Sequence, residues 1–190
     1  MIPILVTGFG PFGDNADNPS ALLAHAVRDE PGVVGAVLPV TWDGAVAGFA
    51  DLVERHRPAA AIAFGLAAGT DRIRVERVAL NLDDSEAPDT GGEVRRGRRI
   101  AGDGPVGHWA GLPVDAMVDA LRAAGLPAGP SAHAGAYVCN HLFFSARHRW
   151  PALPMTFVHL PPLGAGGLTP EGLRLAARVL IGVARAAIAG

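Results

Sequence analysis

Apolar positions along the chain fall into two rhythms. The runs "IPILVTG" (2–8), "GAVLPVTW" (35–42), "AAAIAFGL" (59–66) and "MTFVHL" (155–160) are short, nearly unbroken and rich in branched or aromatic residues. Runs of that length bounded by turn residues predict strands covered on both faces. Between them, "NPSALLAHAVRD" (18–29), "DGAVAGFADLVERHR" (43–57), "VDAMVDALRAAG" (114–125) and "TPEGLRLAARVLIGVARAAIA" (169–189) space their apolar residues three and four apart and predict helices. Punctuation agrees: Asn18 and Thr169 stand at N-cap positions, each followed by a proline that tolerates the first helical turn, while Pro58 and Gly125 stand at helix ends. "DRIRVERVALNL" (71–82) alternates apolar and charged residues and predicts a strand with two unlike faces. Residues 83–112 form a long polar segment, which in a compact domain is a functional loop or a disordered one.

Strands alternating with helices predict an α/β fold, a three-layer α/β/α sandwich around a twisted, largely parallel mixed sheet. With 190 residues, one domain spanning 1–190 is expected. Hydrophobic residues make up 49% and charged residues 18%, and 16 basic against 18 acidic side chains leave a net charge of −2. Such a chain has no global field for nucleic acid, so no nucleic-acid partner is expected. All the basic residues are arginine, which removes lysine nucleophiles and Schiff-base chemistry. No apolar run approaches the roughly 20 residues of a bilayer span, so no membrane partner is expected either. One cysteine and an opening without a charged leader pattern point to a reducing cytoplasm.

Candidate chemistry starts at that cysteine. Cys139 follows the small-residue stretch "SAHAGAY" and precedes "NHLFFSARHRW", which has helical spacing. A thiol there faces a helix N-terminus, whose dipole favours thiolate and lowers the pKa; the bland alternative is a small apolar filler. A cysteine nucleophile needs a base, and His159 in "FVHLPP" ends a hydrophobic strand at the edge where a sheet-based site opens. Glu76 is a carboxylate inside a strand between valines, a place glutamate avoids unless exposed or partnered, and it can orient a histidine as the third member of a triad. The alternatives are a satisfied core histidine and a solvated glutamate.

Other patterns weigh less. "GFGPFG" (8–13) follows a strand and fits G-x-G-x-x-G, but Pro11 sits inside it and Asn18 caps the helix five residues later, so a nucleotide-binding domain stays a minor alternative. Phe9 and Phe12 in that turn lie where ligands bind such sheets, or else cover the sheet. "RRGRR" (95–99) reads as a solvated face, and His141 and His148 as ordinary helix residues without metal-ligand spacing.

"VTGFGPFGDNADNPS", "VERVALNLDDSEAPDTGG", "DGPVGHWAGLPV", "SAHAGAYVCN" and "FVHLP", in that order and nearly end to end, resemble the type I pyroglutamyl peptidases. The resemblance implies a cysteine peptidase that removes N-terminal pyroglutamyl residues from peptides through an acyl-enzyme, without cofactor or metal, on an α/β/α fold assembled as a homo-oligomer, tetramer or dimer. It makes Cys139 the nucleophile, His159 the general base and Glu76 the orienting group. It sets Phe9 and Phe12 against the lactam ring, gives the backbone at Leu66 a hydrogen bond to the lactam amide, and assigns Asp89 to the substrate loop. The chain departs from the family pattern at Leu66, where glutamine is common, at His133 and Pro162, and at Glu86, where an arginine is associated with the oxyanion. A divergent member that binds another small ligand, with altered or lost catalysis, is the alternative that Glu86 supports.

Overall fold

The computed structural model describes residues 2–13 and 18–189; residues 14–17 of the opening motif lie outside the described residues. The strands are β1 (Ile4–Phe9), β2 (Val33–Leu38), β3 (Ala60–Leu66), β4 (Ile73–Leu80), β5 (Gly107–Trp109), β6 (Ala128–His133) and β7 (Met155–Leu160). The helices are α1 (Pro19–Ala26), α2 (Trp42–His56), α3 (Val114–Ala123), α4 (Val138–Arg149) and α5 (Pro170–Ala189). The sheet runs β2-β1-β3-β7-β4-β5, with β6 also on β4. β2, β1, β3 and β7 are mutually parallel, and β4 is antiparallel to β7. β6 pairs β4 from Ile73 to Val78, whereas β7 and β5 divide β4's other edge, taking Arg74–Val75 and Val78–Leu80.

Helices cover both faces of the sheet. Ile4, Val6, Ile62 and Val158 pack with residues of α1, α3 and α5, while Leu5, Ala63, Met155 and Phe157 pack with residues of α2 and α4. Both faces of the parallel strands are therefore covered, as their unbroken apolar runs require. Along β4, Ile73 and Val75 join the first cluster and Ala79 the second. The alternation thus changes phase around Glu76, and that carboxylate enters the layer beneath α4.

The cap of α1 forms as read: Asn18 Oδ1 accepts from Ser20 N at 3.0 Å, with proline in the first turn. Three readings are corrected. "GAVLPVTW" yields a strand only to Leu38, because Pro39 cannot donate to a ladder and Trp42 already opens α2. The polar segment holds a short strand, β5, and an isolated bridge between Asp83 and Arg98. The stretch before Cys139 contains β6, whose Pro130 is exposed on the edge of the sheet, where proline is tolerated.

Candidate active site

Strand register assembles the site. Gly65 on β3 pairs with His159 on β7, and His159 pairs with Arg74 on β4, so three neighbouring strands set these residues in one row. Two residues along β4, Glu76 is fully buried, and its Oε1 lies 2.8 Å from His159 Nδ1. That contact fixes the tautomer: Nδ1 donates to the carboxylate, leaving Nε2 as the basic nitrogen. The other carboxylate oxygen, Oε2, is buried with no hydrogen-bond partner.

Cys139 is the second residue of α4, and its sulfur lies against Gly65: a Cβ built there would stand 2.8 Å from Sγ and 2.9 Å from the Phe157 ring. Only glycine leaves room for the thiol beside His159's strand. α4 is held in place by Asn140, whose side chain accepts from Leu80 N at 2.8 Å and donates to Leu80 O and Leu82 O. Its N-cap, Tyr137, provides no side-chain cap, so the first-turn N–H groups remain available.

The expectation of a lowered thiol pKa is overturned. Burial first, and the charge of Glu76 second, push the Cys139 thiol up to about 12, although its own backbone N–H favours the thiolate. Here desolvation and a neighbouring carboxylate outweigh the end of the helix dipole.

The remaining candidates scatter around this centre. Phe9 is almost fully buried and packs on Phe157 with ring centroids 6.4 Å apart. Phe12 lines a depression of about 410 Å³ together with Pro88, Asp89, Thr90 and Tyr137. Tyr137, two residues before Cys139, donates its hydroxyl to Pro88 O at 2.9 Å. Larger depressions of about 490 and 610 Å³, near Ala59 and Ala152, contain none of these side chains. Leu66 is buried and pairs with Leu160, next to the Gly65–His159 step.

Asp89 spends both oxygens on backbone donors. Oδ1 accepts from Gly91 N and Glu93 N at 2.9 Å, and Oδ2 from Trp42 N at 3.0 Å, which caps α2 where Thr41 does not. Burial raises its pKa, but these N–H groups and Arg95 overcome that and hold the carboxyl below its ordinary 3.8. Glu86 has its side chain 87% exposed and pairs with Arg96 at 3.0 Å.

"GFGPFG" serves a packing role: a Cβ at Gly8 would collide with the Ser20 carbonyl, and Phe9 N donates to Ser20 Oγ at 3.0 Å. The glycine therefore lets β1 approach the start of α1 closely. The reading of "RRGRR" as a solvated face fails at Arg95, and His141, a helix residue as read, is a buried and partnered one. Arg95 is buried and contacts Asp43, Asp83 and Glu93, and His141 is buried with Nδ1 2.9 Å from both Asp83 oxygens. The polar segment concealed this network, since Asp83 and His141 lie 58 positions apart. Among the described residues, no group of three or more His, Cys, Asp or Glu side chains is arranged to hold a metal ion, and no helix is long and apolar enough to cross a membrane.

Comparison with known proteins gives one result. A sequence model of the pyroglutamyl peptidase family matches residues 2–169. A pyrrolidone-carboxylate peptidase of Cupriavidus taiwanensis is 40% identical over 173 residues, covering 86% of this chain and 80% of the relative. One of Cupriavidus necator is 38% identical over 200 residues, covering 100% and 92%. The solved pyrrolidone carboxyl peptidase of Thermococcus litoralis superimposes with a TM-score of 0.94 at 30% identity, over 98% of this chain and 94% of that one.

Proposed function

Because the chain belongs to the pyroglutamyl peptidase family of cysteine peptidases, we propose that it removes N-terminal pyroglutamyl residues from peptides with Cys139 as nucleophile, His159 as base and then acid, and Glu76 as the orienting carboxylate. The observation that carries this reading is the placement of the Cys139 sulfur against Gly65, the register partner of a histidine whose Nδ1 is already committed to Glu76.

A thiol with a pKa of about 12 is protonated at neutral pH, so attack requires a base. His159 Nε2 takes the thiol proton as Sγ adds to the pyroglutamyl carbonyl carbon, and Glu76 holds the resulting imidazolium. The oxyanion meets the uncapped first-turn N–H groups of α4, donors that cost no reorganisation. Collapse of the tetrahedral intermediate breaks the C–N bond, His159 Nε2 returns the proton to the departing amine, and the acyl group stays on sulfur as a thioester. Water, deprotonated by His159, then releases pyroglutamate and the thiol. With Glu86 turned to solvent, the oxyanion relies on these backbone donors.

Phe12 and the buried Phe9 supply the apolar walls for the lactam ring, with backbone polar groups near Leu66 reading its amide; a substrate that leaves those groups unpaired is rejected. Asp89 acts at one remove, by holding the loop that carries Pro88 and Thr90. A nucleophilic thiol without a disulfide partner suits a reducing compartment. Exposed Val106, just before β5, and Trp109 at its end, beside half-buried Val78 and Leu80, support assembly of copies through this apolar surface. The direct test is hydrolysis of a pyroglutamyl-linked fluorogenic amide with and without a thiol reductant. Turnover that requires the reductant after mild oxidation is expected; no turnover under either condition would reject the function.

A further inference from the structure

Arg74 is a cation at the catalytic row that the mechanism above does not use. It pairs with His159 across β4 and β7, and its Nε lies 3.6 Å from Glu76 Oε1, the oxygen that His159 Nδ1 also contacts. Its Nη2 donates to Ser131 Oγ on β6 at 2.6 Å, and its side chain remains 38% exposed. Glu76 is fully buried, and at 3.6 Å the Arg74 Nε contact is long for a hydrogen bond. More than a third of the side chain thus stays open to solvent, on the strand next to His159.

The order of the row gives that cation a direction. The sulfur sits over Gly65; β1 with Phe9 lies on one side of β3, and His159 followed by Arg74 lies on the other. The acyl group therefore occupies the Phe9 side. The departing amine, which takes its proton from His159, leaves on the side of Arg74. Only one carbon separates that amine nitrogen from the carboxylate of its own residue. Adjacent strands stand about 4.8 Å apart, so a group one step beyond the imidazole comes within reach of the next strand's side chain.

Resting on the pyroglutamyl peptidase reading, we propose that Arg74 is a specificity determinant for the leaving group: it binds a carboxylate carried by the residue that follows pyroglutamate. The shared chemistry is a carboxylate received by a guanidinium through charge-assisted hydrogen bonds. It can come from the free C-terminus of a pyroglutamyl dipeptide or from an Asp or Glu side chain at that position.

The test compares kcat/KM for pyroglutamyl-alanine, pyroglutamyl-alanine amide and pyroglutamyl-glutamate α-amide in the wild type, Arg74→Gln and Arg74→Lys. Wild type should prefer pyroglutamyl-alanine over its amide by about tenfold, mainly through KM, as a contact present in both ground and transition states does. The preference should fall to about onefold in Arg74→Gln and be partly kept in Arg74→Lys. Because the readout is a ratio within each variant, any loss common to all substrates through Glu76 cancels. A preference for the glutamate substrate over alanine amide that also needs Arg74 assigns the side-chain source; its absence assigns the free C-terminus. No carboxylate preference in the wild type, or one that survives Arg74→Gln, overturns the proposal. Failure of the wild type to cleave even the neutral amide overturns the functional reading beneath it.

Discussion

Two histidines in this protein make nearly the same contact. His159 Nδ1 lies 2.8 Å from Glu76, and His141 Nδ1 lies 2.9 Å from Asp83; their side chains are 9% and 7% exposed. Burial and carboxylate distance do not tell them apart. Their surroundings do. Asp83 also receives Arg95, which reaches on to Asp43 and Glu93, and His141 packs edge-on against Trp42 at 5.7 Å. That is a closed network tying the polar loop to α2 and α4. Glu76 keeps one oxygen unpartnered, and its histidine stands beside a glycine with a thiol against it. On the proposed mechanism, a histidine–carboxylate pair becomes a reactive unit when hydrogen-bonding capacity is left over and a thiol stands nearby; where every charge is answered, the same pair holds the fold together.

Substitutions can break the comparison directly. His159→Ala and Cys139→Ala should each lower kcat by about 10⁴-fold or more, because members of such a unit act together, and the thermal midpoint of Cys139→Ala should stay close to wild type. Steady-state kinetics alongside calorimetry checks both halves. Glu76→Gln sharpens the result: it keeps the shape and loses the charge, and kcat should fall by about 10³- to 10⁴-fold.

At the other pair the signs exchange. His141→Ala leaves Asp83 short of a partner in the interior and should cost about 3 kcal/mol in denaturant unfolding, with kcat changed less than about tenfold. A collapse of kcat in folded His141→Ala would mean that the two pairs are not distinct in kind.

Sequence made the frame legible because parallel strands must be apolar on both faces. β7 and the cap of α1 followed from local rules alone. β6 was hidden because "AGPSAH" has poor strand formers and becomes a strand only through pairing with β4. Arg95 was hidden because a charge run shows nothing of which members turn inward. Cys139, His159 and Glu76 could each be singled out, yet Glu76 and His159 are 83 positions apart and meet only through register. The raised thiol pKa was beyond reach, since it depends on how tertiary packing desolvates Sγ and on the nearby Glu76 charge.

Smaller effects probe the loop between the two pairs. Asp89→Asn should cost about 1 kcal/mol, the value of a helix cap, and should alter acid stability. The wild-type carboxyl, depressed in the folded state, contributes stability that is present above its ordinary value of 3.8 and lost as pH falls through its lower folded-state value. Urea titrations from pH 6 down to pH 2 should therefore show less acid-linked loss in the variant. Glu86→Gln should change kcat by less than about twofold, since an exposed ion pair contributes little; a change of tenfold would return position 86 to the catalytic account.

The central claim is that the thiol at Cys139 carries the reaction, and the chain's single cysteine makes its test unambiguous. The protein is treated with iodoacetamide at mildly alkaline pH, the fraction carrying one label is read by intact-mass spectrometry, and hydrolysis of a pyroglutamyl amide is measured on the same samples. Residual activity should equal the unlabelled fraction at every time point, reaching zero at one label per chain. Full activity in fully labelled protein would contradict the account.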